Sequence, residues 1–200
     1  GSPAPEASPH LSSDQKTAAI NFDPARIYAP VEDSGIAIPG INYRKLRPDL
    51  LRARVDAPKG AVAGSLVVQL ASCHLFLIEP DGGAIRYGIG IGRQGFDWSG
   101  RGVIARKKPW PRWTPPREMV ARVPALSAYQ DGKSGGIDNP LGARALYIYE
   151  NGADTLYRVH GTPEWWTIGR ATSSGCLRML NQDIIDLYAR VDIGTPIVVA

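Results

Sequence analysis

Val159-His160-Gly161-Thr162-Pro163, followed sixteen residues after His160 by Cys176 within Ser173-Ser174-Gly175-Cys176-Leu177-Arg178-Met179, is the stretch on which the fold and chemistry of this chain turn. A thiol, an imidazole, small residues and a cation fall close together there. An ordinary thiol has a pKa of about 8.5 and is only a few per cent thiolate at neutral pH, so nucleophilic work calls for a base or a positive environment. An imidazole supplies the base, taking the thiol proton on attack and returning one to the leaving group. Cys176 and His160 are therefore the candidate nucleophile and base of an acyl transfer. Ser173 and Ser174 make a small approach to the sulfur, and the backbone N–H groups of Gly175 and Cys176 are candidate donors to a developing oxyanion. In an extended chain Arg178 shares a face with Cys176, where it can hold a substrate carboxylate. Spacing alone leaves a second reading open, a buried thiol and a hydrogen-bonded structural histidine.

The flanks read as strands and turns. Residues 155–159 return from the turn Glu150-Asn151-Gly152 against 143–149, which places His160 at a strand end. Upstream, the apolar runs 66–70 and 75–78, and Asp81-Gly82-Gly83 leading into 84–91, predict a meander of hairpins. After Cys176 comes a helix over 182–190, with Asn181 as its cap, Asp183 and Asp186 near its positive end, and Ile184, Ile185, Leu187, Tyr188 and Val191 as its apolar stripe. A strand over 196–199 closes the chain. Residues 1–40, rich in Pro, Ser, Ala and Gly, are expected as an irregular extension, and 41–63 as a connecting segment with a helical turn at Pro48. Residues 64–200 then form the main domain.

Other motifs are weaker. Cys73 and His74 are neighbours, but adjacent residues of an extended chain face opposite ways, so the pair is read as structural. Residues 88–95 are glycine-rich without the Gly-Lys-Ser/Thr ending of a phosphate loop, and are read as turns and bulges. Residues 101–122 carry seven basic residues and one acid, interleaved with Trp110, Trp113 and four prolines. With no nucleic-acid module in sight they predict a rigid loop beside a substrate cleft, not a nucleic-acid partner. Trp165 and Trp166 are read either as a loop over the cleft or as surface packing.

Composition bounds the remainder. Two hundred residues, 44% apolar and 21% charged, suit one principal domain, and 22 Gly with 17 Pro favour short strands over long helices. Two cysteines exclude a disulfide framework, and His10, His74 and His160 lie too far apart in sequence to suggest a metal cluster. A net charge of +4 permits anionic partners without naming one. No run is long and apolar enough to predict a transmembrane helix, and Gly1-Ser2 looks like a cloning scar.

His160-Gly161-Thr162 with Ser173-Ser174-Gly175-Cys176-Leu177-Arg178-Met179 resembles the signature of the L,D-transpeptidase catalytic domain, the YkuD family, in which a His-Gly pair precedes a Ser-x-Gly-Cys-x-Arg block. The likeness covers residues 64–199 and takes in the hairpins at 66–91, the Trp98-Ser99-Gly100 turn and Asn139-Pro140-Leu141-Gly142. It implies a mainly β fold, a sandwich of hairpins with one C-terminal helix after the cysteine. It also implies a periplasmic or envelope location with a signal peptide already removed, no cofactor or metal, and peptidoglycan stem peptides as substrate. In family terms Cys176 attacks the L-centre carbonyl of the position-3 diamino acid, D-alanine leaves, and an amine resolves the thioester to give a 3→3 cross-link. An envelope protein or water serves as acceptor in some relatives, so an L,D-carboxypeptidase or endopeptidase and a non-enzymatic wall-binding module stay open beside it. The resemblance makes a backbone carbonyl at Gly161 the group that orients His160, and carbapenems covalent inhibitors. Ser174 stands where many members carry histidine, which leaves His160 as the base.

Overall fold

A computed structural model describes residues 22–92, 98–171 and 176–200; Ser173, Ser174 and Gly175 lie outside the described residues. Asp23 accepts the Ala25 N–H at 3.1 Å and Pro24 opens the short helix α1 (Pro24–Ile27), a position where the missing proline N–H is not needed. β1 (Val31–Asp33) and β2 (Ile36–Ile38) then pair antiparallel, with Ser34 and Gly35 at φ of 53° and 79° as the tight-turn pair. The irregular extension expected through residue 40 is thus corrected for residues 22–40. Tyr28 and Ile38, each 2% exposed, anchor this segment in the main core, and two apolar side chains suffice where the surrounding composition suggests none. The turn expected at Pro48 is a single 3-10 turn, Pro48–Leu50, with Leu50 buried.

The remaining strands are β3 (Ala53–Asp56), β4 (Leu66–Gln69), β5 (His74–Ile78), β6 (Gly83–Gly88), β7 (Gly90–Ile91), β8 (Gly100–Pro109), β9 (Arg144–Glu150), β10 (Ala153–Thr162), β11 (Leu177–Leu180) and β12 (Pro196–Val199). Helix α2 (Arg117–Arg122) follows β8, and α3 (Asn181–Arg190) follows β11 without a gap. β3 to β12 form one ten-stranded mixed sheet in the order β3-β6-β5-β4-β12-β8-β9-β10-β11-β7, with β4–β12 and β10–β11 parallel. Only Ile89 separates β6 from β7, although β7 ends the sheet at the edge remote from β6. The sheet must therefore curl until its distant strands meet, and the layers of the expected sandwich are one sheet folded over itself. The core between them includes Leu66, Leu75, Ile104, Leu146, Ile148, Leu177 and Met179, all fully buried. Helix α3 packs on β9, β10 and β11 through Ile184 and Leu187, each 0% exposed and each stabilising by about 1.5–3 kcal/mol through burial. Among the described residues no helix is long and apolar enough to cross a membrane.

The loop expected over 101–122 is also corrected, because residues 100–109 are strand β8, hydrogen-bonded to β12 on one side and β9 on the other. Ile104 points into the core while Arg101, Arg106 and Lys108 are exposed, so the cations that read as loop are the solvent face of a central strand. Trp113, beyond the strand, is buried and bridges Lys133, and no residue of 101–122 is among those that line the cleft described next.

Candidate active site

Parallel pairing of β10 with β11 sets Val159 opposite Leu177, His160 opposite Arg178 and Gly161 opposite Met179. Partners in register share a face and successive residues alternate. Val159, Leu177 and Met179 accordingly go to the core, fully buried, while His160 and Arg178 take the other face together with Arg158 and Cys176. That face opens on a cleft of roughly 130 Å³ lined by Cys176, His160 and Arg178, with Gly92, Asp138, Pro140, Thr162, Pro163 and Glu164 around them.

His160 is 6% exposed, and its Nδ1 lies 2.6 Å from the Gly161 carbonyl. A carbonyl only accepts, so Nδ1 carries the proton and Nε2 is the basic nitrogen. Burial holds the imidazole down at about 4, against the pull of the Gly161 carbonyl, and the charges of Arg178 and Arg158 lower it further. Cys176 is 8% exposed; its S–H reaches the Leu156 carbonyl at a long 3.9 Å. Burial pushes this thiol up, while the Arg158 backbone N–H and the Arg158 and Arg178 guanidinium charges draw it down. At neutral pH the resting pair is therefore a neutral thiol beside a neutral imidazole, and attack has to be coupled to proton transfer.

The glycines explain why this geometry forms. A Cβ on Gly161 would run into Asn181 Oδ1 and the Ile184 side chain, so only glycine lets α3 close on β10 behind the histidine. Asn181, expected as the helix cap, is instead the first residue of α3; its Oδ1 crosses to accept the Ala143 N–H at 3.0 Å, and Leu180 fills the cap position without a side-chain bond. A Cβ on Gly92 would strike the Arg178 guanidinium, whose Nη1 lies 3.6 Å from Glu164 Oε2 at the cleft mouth. Fully buried Asn139 donates to the carbonyls of Pro111, Lys133 and Ser134 and accepts the Leu141 N–H at 2.9 Å. That pinning brings Asp138 and Pro140 to the rim, where Asp138 pairs with Lys133 at 3.1 Å.

Of the residues singled out in the sequence, Cys176, His160, Gly161 and Arg178 converge here. Cys73 and His74 do not: His74 sits between Ser72 Oγ at 3.0 Å and the Asp49 carbonyl at 2.9 Å, and Cys73 is a separate buried free thiol. Trp165 packs on the core and Trp166 is 49% exposed; neither lines the cleft. Arg158, Leu156, Glu164 and Asp138 are the site residues that were missed. Strand alternation back from His160 would have found Arg158, whereas the other three act through a backbone carbonyl or from loops that carry no period.

A family model described as the L,D-transpeptidase catalytic domain, YkuD, matches residues 63–199. The chain is 33% identical over 178 residues to a probable L,D-transpeptidase ErfK/SrfK of Escherichia coli strain K12, covering 86% of this chain and 50% of that protein. It is 39% identical over 112 residues to a probable L,D-transpeptidase YbiS of the same strain, covering 54% and 34%. The chain thus spans half the length of these curated relatives or less. A solved structure from Brucella melitensis, described as a probable carnitine operon oxidoreductase, is 41% identical with a TM-score of 0.54, covering 77% of this chain and 96% of that one. The redox activity in that description belongs to that protein.

Proposed function

Because this chain belongs to the L,D-transpeptidase catalytic-domain family, we propose that it is a peptidoglycan L,D-transpeptidase with Cys176 as nucleophile and His160 as general base and acid. The observation that carries the reading is the neutral thiol and imidazole sharing one cleft with the Arg178 cation. As sulfur attacks the L-centre carbonyl of the position-3 diamino acid, Nε2 of His160 takes the thiol proton. Nδ1 stays bonded to the Gly161 carbonyl, which steadies the imidazolium that forms. Charge on the tetrahedral oxygen is met by backbone N–H groups, for which the sequence nominates Gly175 and Cys176. His160 then protonates the departing D-alanine amine and a thioester remains on Cys176. An acceptor amine attacks that thioester, giving its proton to Nε2; the new amide forms and sulfur recovers the proton. The amine comes from a neighbouring stem, giving a 3→3 link, or from an envelope protein. Arg178 holds a substrate carboxylate beside the reacting carbonyl. The reading places the protein in the periplasm or cell envelope. A β-lactam of the carbapenem type offers sulfur a strained acyl carbon in place of the stem and acylates Cys176.

Incubation with purified wall tetrapeptides, read by mass, tests this. A dimer lacking one D-alanine is expected. Tripeptide alone would assign a hydrolase, while unchanged peptides together with wall binding indifferent to Cys176→Ala would assign a non-enzymatic wall-binding module.

A further inference from the structure

β10 slips its register on β9 between Asp154 and Arg158, and within the slip Leu156 has a φ of 62°. That left-handed conformation costs a non-glycine residue about 1 kcal/mol or more. Packing does not hold Leu156 there, since it is 49% exposed. Its polar neighbours do. Asp154 Oδ1 accepts the Leu156 N–H at 2.8 Å, and Thr155 Oγ1 accepts the Tyr157 N–H at 3.1 Å while donating to the Ile148 carbonyl at 2.6 Å. The Arg158 guanidinium forks onto both oxygens of Asp154, with Nη2 to Oδ2 at 2.9 Å, and stacks 4.5 Å from the centre of the Tyr147 ring.

The ladder between β10 and β11 begins at Val159 and Leu177, so this bulge and Cys176 lie at the same end of the two strands. The backbone of the bulge meets the sulfur there through the Leu156 carbonyl. The Leu156 carbonyl accepts its S–H at 3.9 Å, and the backbone N–H of Arg158 draws the thiol's pKa down against the effect of burial. A regular strand points its carbonyl and N–H groups sideways to its neighbours; the bulge leaves the Leu156 carbonyl to the thiol instead.

We propose that the bulge is the positioning device of the nucleophile, with Asp154 as the residue that shapes it: the Leu156 carbonyl parks the resting S–H, and the Arg158 N–H steadies the sulfur once His160 has taken the proton. The inference rests on Cys176 being the nucleophile of the function proposed above, yet its test needs no wall substrate.

Iodoacetamide alkylation of Cys176, followed peptide by peptide so that Cys73 does not interfere, reads the device directly. Asp154→Ala removes the acceptor for the Leu156 N–H, and Leu156→Val puts a β-branched residue where φ is positive. Both are expected to slow alkylation about tenfold at neutral pH, the weight of one hydrogen bond to a charged group, and to move the midpoint of the pH–rate profile upward. Asp154→Asn keeps the side-chain oxygen and Leu156→Gly accepts the conformation, so both should stay within about twofold of the parent. Melting curves confirm that each variant is folded, and Asp154, on the surface, carries the test if Leu156→Val is not. Parent rates and midpoints in Asp154→Ala and Leu156→Val would overturn the proposal. So would equal slowing in all four variants, which would assign the effect to lost charge and lost side chain. If the alkylation pattern appears but neither tetrapeptides nor a carbapenem acylates Cys176, the function proposed above falls and the bulge assignment stands.

Discussion

Two buried polar constellations lie at the two ends of β11, and they handle buried polarity in opposite ways. In α3, which follows the strand, fully buried Asp183 meets Arg52 at 3.0 Å and accepts the Tyr28 hydroxyl at 3.1 Å. Asp186 meets the same guanidinium at 3.3 Å and accepts the Tyr87 hydroxyl at 2.6 Å. Acids and cation are paired there, and the pairing offsets part of their desolvation while tying the N-terminal segment to α3. Before the strand, Cys176 and His160 are also buried, and among the described residues the charges that act on their titration are the cations Arg158 and Arg178. Burial leaves both neutral, and the cleft beside them is open. The closed constellation spends its polarity on holding the fold. The open one keeps a proton transfer in reserve for a substrate.

Substitutions at the two ends should separate these roles. Cys176→Ala is expected to reduce acyl transfer by about 10⁴-fold or more, with the melting temperature little changed; product formation above that level would break the distinction. Asp183→Ala leaves the buried Arg52 guanidinium to Asp186 alone and takes the acceptor from the Tyr28 hydroxyl, and should remove about 3 kcal/mol of stability in denaturant titration. The acylation rate of the protein that remains folded should hardly move, and a large drop would show that the two ends are one unit. His160→Gln should slow acylation about 10²-fold at neutral pH, measured by the rate of adduct formation. Gly161→Ala should cost about 1–3 kcal/mol by forcing α3 away from β10, and should lower kcat as the carbonyl that orients His160 shifts.

The smallest effect is in pH. His160 titrates at about 4 in the folded chain against 6.5 ordinarily, so the unfolded chain takes up this proton first. Its contribution to stability is complete above 6.5 and is lost as pH falls toward 4. Asp183, which burial pushes up to about 6, works in the opposite sense, with stability falling as pH rises through that range. The His160 contribution is therefore read as the difference between parent and His160→Gln in melts at several pH values. A difference that does not vary with pH would contradict a neutral buried imidazole.

What was legible in the sequence follows from what is local. The hairpins of β4, β5 and β6, the strands β9, β10 and β12, and the body of α3 carry their own period and turn residues. Cys176, His160, Gly161 and Arg178 were legible because alternation and one parallel register bring them to a single face. β8 was hidden because its neighbours in the sheet, not its residues, make it a strand. Asn181 reads as a cap until its distant partner Ala143 is known. Tyr28 likewise looks like part of a loose tail until Asp183 and the N–H of Arg52 are placed around its hydroxyl.

The most direct test of the neutral thiol–imidazole couple as the acylation centre is the intact mass of the protein after exposure to a carbapenem. One adduct is expected on the parent, none on Cys176→Ala, and a slowly formed one on His160→Gln. An adduct that persists in Cys176→Ala would contradict the account.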